Sequence, residues 1–204
     1  MADVKTPTAR IAFAPTLFKP QTRDNGKIQY GCSLLFPKGS DLKALQQNVL
    51  DAVQAEWGDK ALQMLKDGLI KSPFLDGDGP QGKNKQTGEA HAGFPGNTFI
   101  RVTSGVDYKP KVFDRQRNPV LDVSGCPSGS WGFGVVNAFC WENKENGKGV
   151  TFGISLVQVT KIAEGADVLG GGGGVNPDDW LETVADEGPM TGNSGGGSAS
   201  SFFD

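Results

Sequence analysis

Two long segments of alternating residues, 130–141 and 150–161, give this sequence its strongest structural signal. In the first, mostly large residues at odd positions alternate with mostly small ones at even positions. In the second, Phe152 and Ile154 alternate with smaller residues. Alternation with a period of two is typical of β-strands. The polar, glycine-containing segment 142–149 predicts a turn, so the two segments are expected to pair as a long antiparallel hairpin.

The residues before this hairpin predict further strands and one helical insertion. Segments 9–18, 27–36 and 97–103 have the composition and alternation of strands. Segment 41–69 instead carries apolar residues at helical spacing, which predicts a helix that packs one face on the sheet. The chain is therefore predicted to be mainly β, with five or more strands in a small antiparallel barrel or sandwich and an inserted helix.

The charged residues divide the chain at Lys161. All 20 Lys and Arg lie at or before this residue, whereas eight of the 23 Asp and Glu follow it. A basic body of net charge near +5, which suits a polyanionic ligand, is thus joined to an acidic tail near −8. Five consecutive glycines (170–174) and a Gly/Ser-rich segment at 188–201 are typical of a flexible linker. We predict a folded domain over 1–164 and a disordered tail over 165–204.

The tail ends in two large apolar residues, Phe202 and Phe203, followed by Asp204. Aromatic side chains at the free end of a flexible segment do not belong to the core of the domain by default. We therefore interpret them as a peptide ligand for another protein, and we group Trp180, in the one apolar part of the tail, with this partner-binding element.

The sequence contains no convincing catalytic or metal-binding motif. Segment 77–82 matches the pattern GxGxxG but lacks the βαβ context of a dinucleotide site. The three cysteines are widely spaced, and His91, the single histidine, lies in a predicted exposed loop. We expect no enzyme activity, no metal and no cofactor. The sequence also lacks both an apolar run of roughly 20 residues and a secretory signal, so we expect neither membrane association nor secretion.

Aromatic and basic residues are interleaved on the predicted β-structure and in the long loop at 76–97. Unpaired bases stack on exposed rings while Lys and Arg contact phosphates, so this combination is typical of proteins that bind single-stranded nucleic acid. A protein that reads duplex DNA more often presents a recognition helix. The candidate DNA-binding residues are Phe99, Arg101, Tyr108, Lys109, Lys111, Phe113, Arg115, Arg117, Trp131, Phe133, Trp141, Lys148, Lys83 and Lys85.

Some of these assignments have a structural alternative. Phe99 shares a strand face with Arg101, yet its ring is equally compatible with a place in the core. The odd-numbered residues of segment 130–141, which include Trp131, Phe133 and Trp141, form an outer face if the small even-numbered residues line a tight interior. If they do not, the aromatic face is itself the core.

Three segments of the sequence together resemble a known family. They are YGCSLLFPKG at 30–39, YKPKVFD at 108–114 and, most specifically, the block from 124 to 165. Over roughly residues 8–170 the chain is similar to phage single-stranded DNA-binding proteins, both the phage T7 type and, more closely, a group first catalogued as phage proteins of unknown function. The resemblance implies an OB-fold with an inserted helix, sequence-independent binding of single strands, and an acidic C-terminal tail that ends in an aromatic residue.

The function expected on these grounds is single-stranded DNA binding in phage DNA replication, recombination and repair, in the host cytoplasm. The tail is expected to recruit replication proteins such as a polymerase, a helicase or a nuclease. The sequence leaves open the oligomeric state, including a homodimer, and the preference between DNA and RNA. The alternatives are a β-rich virion protein with a flexible docking tail and a cysteine hydrolase.

Overall fold

The computed structural model describes residues 2–22 and 26–170. Trp180, Phe202, Phe203 and Asp204 lie outside the described residues. The described chain is mainly β, as predicted, and contains ten strands and three α-helices. The strands are β1 (Val4–Lys5), β2 (Ala9–Ala12), β3 (Gln21–Thr22), β4 (Ile28–Pro37), β5 (Ile70–Lys71), β6 (Phe74–Asp76), β7 (Asn97–Gly105), β8 (Lys111–Phe113), β9 (Trp131–Asn143) and β10 (Gly147–Lys161), and the helices are α1 (Pro15–Phe18), α2 (Lys43–Trp57) and α3 (Asp59–Lys66).

Five strands close into a barrel in the order β2, β4, β7, β10 and β9. The ring closes because β9 pairs with β10 along one edge and with β2 along the other. The predicted hairpin is β9 and β10. Four of the five pairs in this ring are antiparallel, as predicted, whereas β7 and β10 run parallel, with Phe152 opposite Val102. A closed ring with an odd number of strands cannot alternate direction at every step, so one parallel pair is unavoidable. The barrel with its helical insertion matches the predicted OB-like architecture.

The inner wall of the barrel explains why β9 carries small residues at even positions. A Cβ on Gly132 would lie 2.2 Å from the Gln158 carbonyl oxygen, and one on Gly134 would lie 3.3 Å from Leu34 Cδ1. Large side chains from the other strands, such as Phe152, fill the interior. The odd-numbered aromatic face of β9 is therefore the outer face. The buried even-numbered residues are Gly132, Gly134, Val136 and Ala138.

The helical insertion consists of two helices rather than one. Gly58, with a φ of 75°, breaks the helical stretch between α2 and α3. α2 packs its buried face into the core that fills the barrel, and the Asn48 side-chain oxygen accepts a hydrogen bond from the Ala138 N–H of β9 at 2.7 Å. No helix among the described residues is long and apolar enough to cross a membrane.

The first predicted strand ends early, at Ala12. Phe13 adopts a left-handed backbone conformation (φ 58°), and its carbonyl accepts hydrogen bonds from both the N–H and the hydroxyl of Thr16. The chain then enters α1 at Pro15, a residue whose fixed φ suits the first position of a helix. This turn places the Phe13 side chain at the surface.

The predicted long loop at 76–97 folds back against the barrel. Lys38 holds its start through an ion pair with Asp78 at 2.7 Å, and this hydrogen-bonded contact lowers the pKa of that carboxyl. Phe94, near the end of the loop, is buried against Phe99 with ring centroids 4.8 Å apart. The loop therefore covers one end of the outer face of β4 and β7.

The packed body continues past residue 165, where the tail was predicted to begin. Leu169 packs against the buried cluster that contains Phe94. Arg10 Nη2 donates a hydrogen bond to the Asp167 carbonyl at 2.7 Å. A deletion that starts at 165 would therefore remove packing contacts of the body together with the acidic segment.

Candidate nucleic-acid interface

Three clefts of about 460, 540 and 500 Å³ run together across the outer face of β4, β7, β10 and β9. Gln29 of β4 and Thr103 of β7 line all three, while Phe139 of β9 and Thr151 of β10 each line two. We call this continuous surface the groove. It is also lined by Phe13, Lys27, Lys71, His91, Arg101, Tyr108, Lys109, Lys111, Asn137, Trp141, Glu142 and Gly153.

Thr151 and Gly153 of β10, with Thr103 of β7, form the floor of the groove. Gly149 lies opposite Trp141, and a Cβ on Gly149 would be 2.3 Å from Cζ2 of that indole ring. Two residues further on, Thr151 lies opposite Phe139. Because Gly149 has no side chain, the Trp141 ring lies directly over it, and the half-buried rings of Phe139 and Trp141 each keep part of their surface accessible.

The groove is strongly basic. Glu142 is its one acidic side chain among the described residues, against five bases. Lys71 Nζ lies 5.8 Å from the Trp141 ring centroid, and Arg101 Nη2 donates to the Gln81 carbonyl at 3.1 Å. A cleft whose bases outnumber its acids attracts a polyanion. The five exposed bases are Lys27, Lys71, Arg101, Lys109 and Lys111.

Several residues chosen from the sequence meet in this groove. Arg101 comes from β7, Lys111 from β8 and Trp141 from β9, while Tyr108 and Lys109 lie between β7 and β8. Tyr108 is 77% exposed, so nearly its whole ring is available for contact. These five residues therefore line one surface, and their contact with nucleic acid remains a prediction.

Other predicted residues do not line the groove. Trp131 and Phe133 are on the outer face of β9, as their odd positions require, but toward its other end. There, Lys5 Nζ lies 3.8 Å from the Phe133 ring centroid. Their role also remains a prediction. The remaining predicted residues outside the groove that are exposed or half-buried are Phe113, Arg115, Arg117, Lys83 and Lys85.

The stacking role predicted for Phe99 is wrong in this structure. The residue shares the outer face of β7 with Arg101, as alternation requires. Phe94 and Leu35 cover its ring, however, so the side chain is fully buried in a small second cluster beneath the loop. A ring with no exposed face cannot stack on a base.

Lys148 lies away from the groove, and its contact with DNA remains a prediction. Lys148 lies on the same face of β10 as buried Val150, which is the side opposite the groove floor. Its Nζ is 3.4 Å from the Glu142 carboxylate and 4.9 Å from the Trp57 ring centroid on α2. This lysine therefore contacts the helical insertion.

Sequence reasoning missed several groove residues. Phe139 belongs to the odd-numbered aromatic face that alternation identifies, but it is not among the candidate DNA-binding residues chosen from the sequence. Phe13 is not recognisable as a groove residue from the sequence, because it lies in the middle of the predicted strand 9–18. His91 was interpreted as a plain loop residue, although its ring lies edge-on to Phe13 with centroids 5.2 Å apart. No local pattern distinguishes Lys71 from other surface lysines.

A separate and larger cleft, of about 660 Å³, is a weaker candidate. Its charged lining mixes acids (Asp114, Glu164, Asp167) with bases (Arg115, Lys161), and no aromatic residue lines it. It therefore lacks both a net attraction for phosphate and a surface on which a base can stack.

The structure also argues against a cysteine nucleophile. Cys126 is buried, and burial raises the pKa of its thiol to about 12. The thiolate is the reactive form of cysteine, so this residue is inert at neutral pH. Among the described residues, no group of three or more His, Cys, Asp or Glu is placed to hold a metal ion.

Comparison with known proteins gives a consistent picture. A family model described as "Enterobacter phage Enc34, ssDNA-binding protein" matches residues 2–190. The structure of the bacteriophage Enc34 single-stranded DNA-binding protein in complex with ssDNA is similar with a TM-score of 0.60 and 20% identity, over 80% of this chain and 89% of that chain. The structure of gp2.5, a single-stranded DNA-binding protein encoded by bacteriophage T7, is similar with a TM-score of 0.55 and 15% identity, over 94% of this chain and 99% of that chain. At these identities the structural likeness shows a shared fold. No curated protein matches significantly.

Proposed function

The chain belongs to the family of the Enterobacter phage Enc34 single-stranded DNA-binding protein, and on that premise we propose that it binds single-stranded DNA with the strand lying in the groove. One observation carries this proposal: accessible aromatic rings and five basic side chains line the same continuous surface. Bases would stack on Phe139, Trp141 and Tyr108 while phosphates follow the basic side chains.

This arrangement favours unpaired strands and tolerates any sequence. Every base has a flat face, so stacking contributes roughly 1–3 kcal/mol per base without reading its identity. In a duplex these faces are already stacked on neighbouring pairs, so the rings of the groove have nothing to contact. We propose that the protein coats single strands exposed during phage replication, recombination and repair in the host cytoplasm.

A competition experiment tests this function. A labelled oligo(dT) bound to the full chain should be displaced by unlabelled single strands of mixed sequence and much less by duplex of equal length. The affinity should fall with salt, with a log–log slope of about −0.7 for each phosphate neutralised. Equal competition by duplex and single strand at moderate salt would contradict the proposal.

We further propose that the acidic segment after Gly170 competes with DNA for the groove and recruits replication proteins. That segment carries six acids and no Lys or Arg, and it ends in two phenylalanines followed by Asp204. A tethered acidic segment has a high effective concentration near a basic surface. Removing residues 171–204 should therefore tighten binding to oligo(dT) at low salt and abolish capture of the phage polymerase or helicase.

The end point of this truncation matters because Leu169 packs against the body. Stopping after Gly170 keeps that contact, whereas deletion from 165 would confound a charge effect with lost stability. The matched variant Phe202→Ala with Phe203→Ala should lose partner capture and keep wild-type DNA affinity. Unchanged DNA affinity after truncation, together with partner capture by the double variant, would make the segment a passive linker.

A further inference from the structure

The turn between β2 and α1 requires a left-handed backbone at residue 13, but it does not explain why that residue is a phenylalanine. Its φ of 58° lies in the left-handed region, which glycine and asparagine adopt more readily than a bulky aromatic residue. The turn from β2 into α1 uses only its backbone, through the carbonyl that accepts two hydrogen bonds from Thr16. Strain held at a surface position points to a role for the side chain.

The Phe13 ring is exposed yet held in place. It is 44% exposed. His91 meets it edge-on, with centroids 5.2 Å apart and an interplanar angle of 89°, and Phe94 supports it at 5.8 Å. Phe94 is itself buried against Phe99. The loop thus anchors the ring through its buried phenylalanine, while the exposed part of the ring remains accessible.

The Phe13 ring also lines the same cleft as a basic side chain, that of Arg101. The cleft of about 540 Å³ that Phe13 lines is also lined by His91, by Arg101 and by Thr103 and Thr151 of the groove floor. A strand that follows the floor from Trp141 toward the loop therefore reaches Phe13 in a cleft that also contains the Arg101 side chain.

We propose that Phe13 is a base-stacking residue that forms a subsite at the loop end of the groove. It takes an unpaired nucleobase on its exposed face, and Arg101 contacts a flanking phosphate. This inference rests on the proposed function and extends the bound strand beyond Phe139 and Trp141. His91 and Phe94 act as positioning residues, because they fix the ring.

Substitution by asparagine separates the ring from the turn. Phe13→Asn suits the left-handed backbone, so the melting temperature should be unchanged or higher. The affinity for oligo(dT) should fall roughly 5- to 150-fold, the range expected for one lost base stack. Phe13→Trp should retain binding, whereas Phe13→Leu, which keeps apolar contact with the loop but has no flat face, should lose it. Leu121→Asn, at an 81% exposed position that does not line the groove, is the matched control and should bind as wild type.

A measurement on the unaltered protein covers the case in which a variant folds poorly. Photo-crosslinking of the full chain to oligo(dT) that contains 5-iodouracil should label Phe13, as identified by mass spectrometry of the peptides. Crosslinks confined to β9, or wild-type affinity in folded Phe13→Asn, would overturn this inference and leave the proposed function intact. Failure of the wild-type chain to bind oligo(dT) at all would contradict both.

Discussion

The double substitution Phe139→Ala and Trp141→Ala should nearly abolish binding to single strands. If each ring stacks on one base, the loss is roughly 2–6 kcal/mol, which corresponds to about 30-fold at the least and more than 10,000-fold at the most. The two rings are half-buried on the outer face of β9, so their removal leaves the barrel interior untouched. Fluorescence anisotropy of a labelled oligo(dT) measures the loss, and circular dichroism checks the fold.

Two further variants calibrate this result. Trp57→Ala removes a half-buried ring from the helical side and should bind as wild type, after correction for any lower melting temperature. Trp131→Ala with Phe133→Ala measures how far along β9 the binding surface extends. Wild-type affinity in the Phe139/Trp141 variant would show that the groove rings do not stack on bases.

The triple substitution Lys71→Ala, Lys109→Ala and Lys111→Ala should have the next largest effect. Each lysine that neutralises one phosphate contributes about 0.7 to the salt slope, so the slope should become shallower by about 2. At 50 mM salt this amounts to a loss on the order of a few hundred-fold in affinity, and the loss should be equal for all sequences.

The control variant removes the same three positive charges from a different surface of the protein. Lys43, Lys60 and Lys66 are exposed on α2 and α3 and do not line the groove. Their triple alanine variant should leave the slope close to that of the wild type, apart from a small long-range change. An equal effect in both variants would mean that net charge, and not the groove, determines affinity.

Most of the fold could be predicted from the spacing of apolar residues in this one sequence. Alternation over β9 and β10 identified the hairpin, because strands that separate a core from a surface repeat every two residues. Whether the aromatic face of β9 was inside or outside was not decidable locally. It depended on how much volume residues such as Phe152 supply from neighbouring strands.

The site was harder to predict, for reasons that differ between residues. Phe99 was misplaced because Phe94, from a loop that folds back, covers a face that alternation correctly assigned as outer. The position of Lys148 outside the groove follows from alternation, because this residue shares the parity of buried Val150. Phe13 could not be found, since a left-handed turn in the middle of an apparent strand leaves no local signal.

Single strands are expected to lie in the groove between the loop at 76–97 and β9. Titration of isotope-labelled protein with oligo(dT), followed by amide chemical shifts, tests this most directly. The largest shifts are expected on the groove floor, at Thr103, Thr151 and Gly153, with small shifts on α2 and α3. Shifts concentrated around the separate cleft at Asp114 and Lys161, with the floor unchanged, would contradict it.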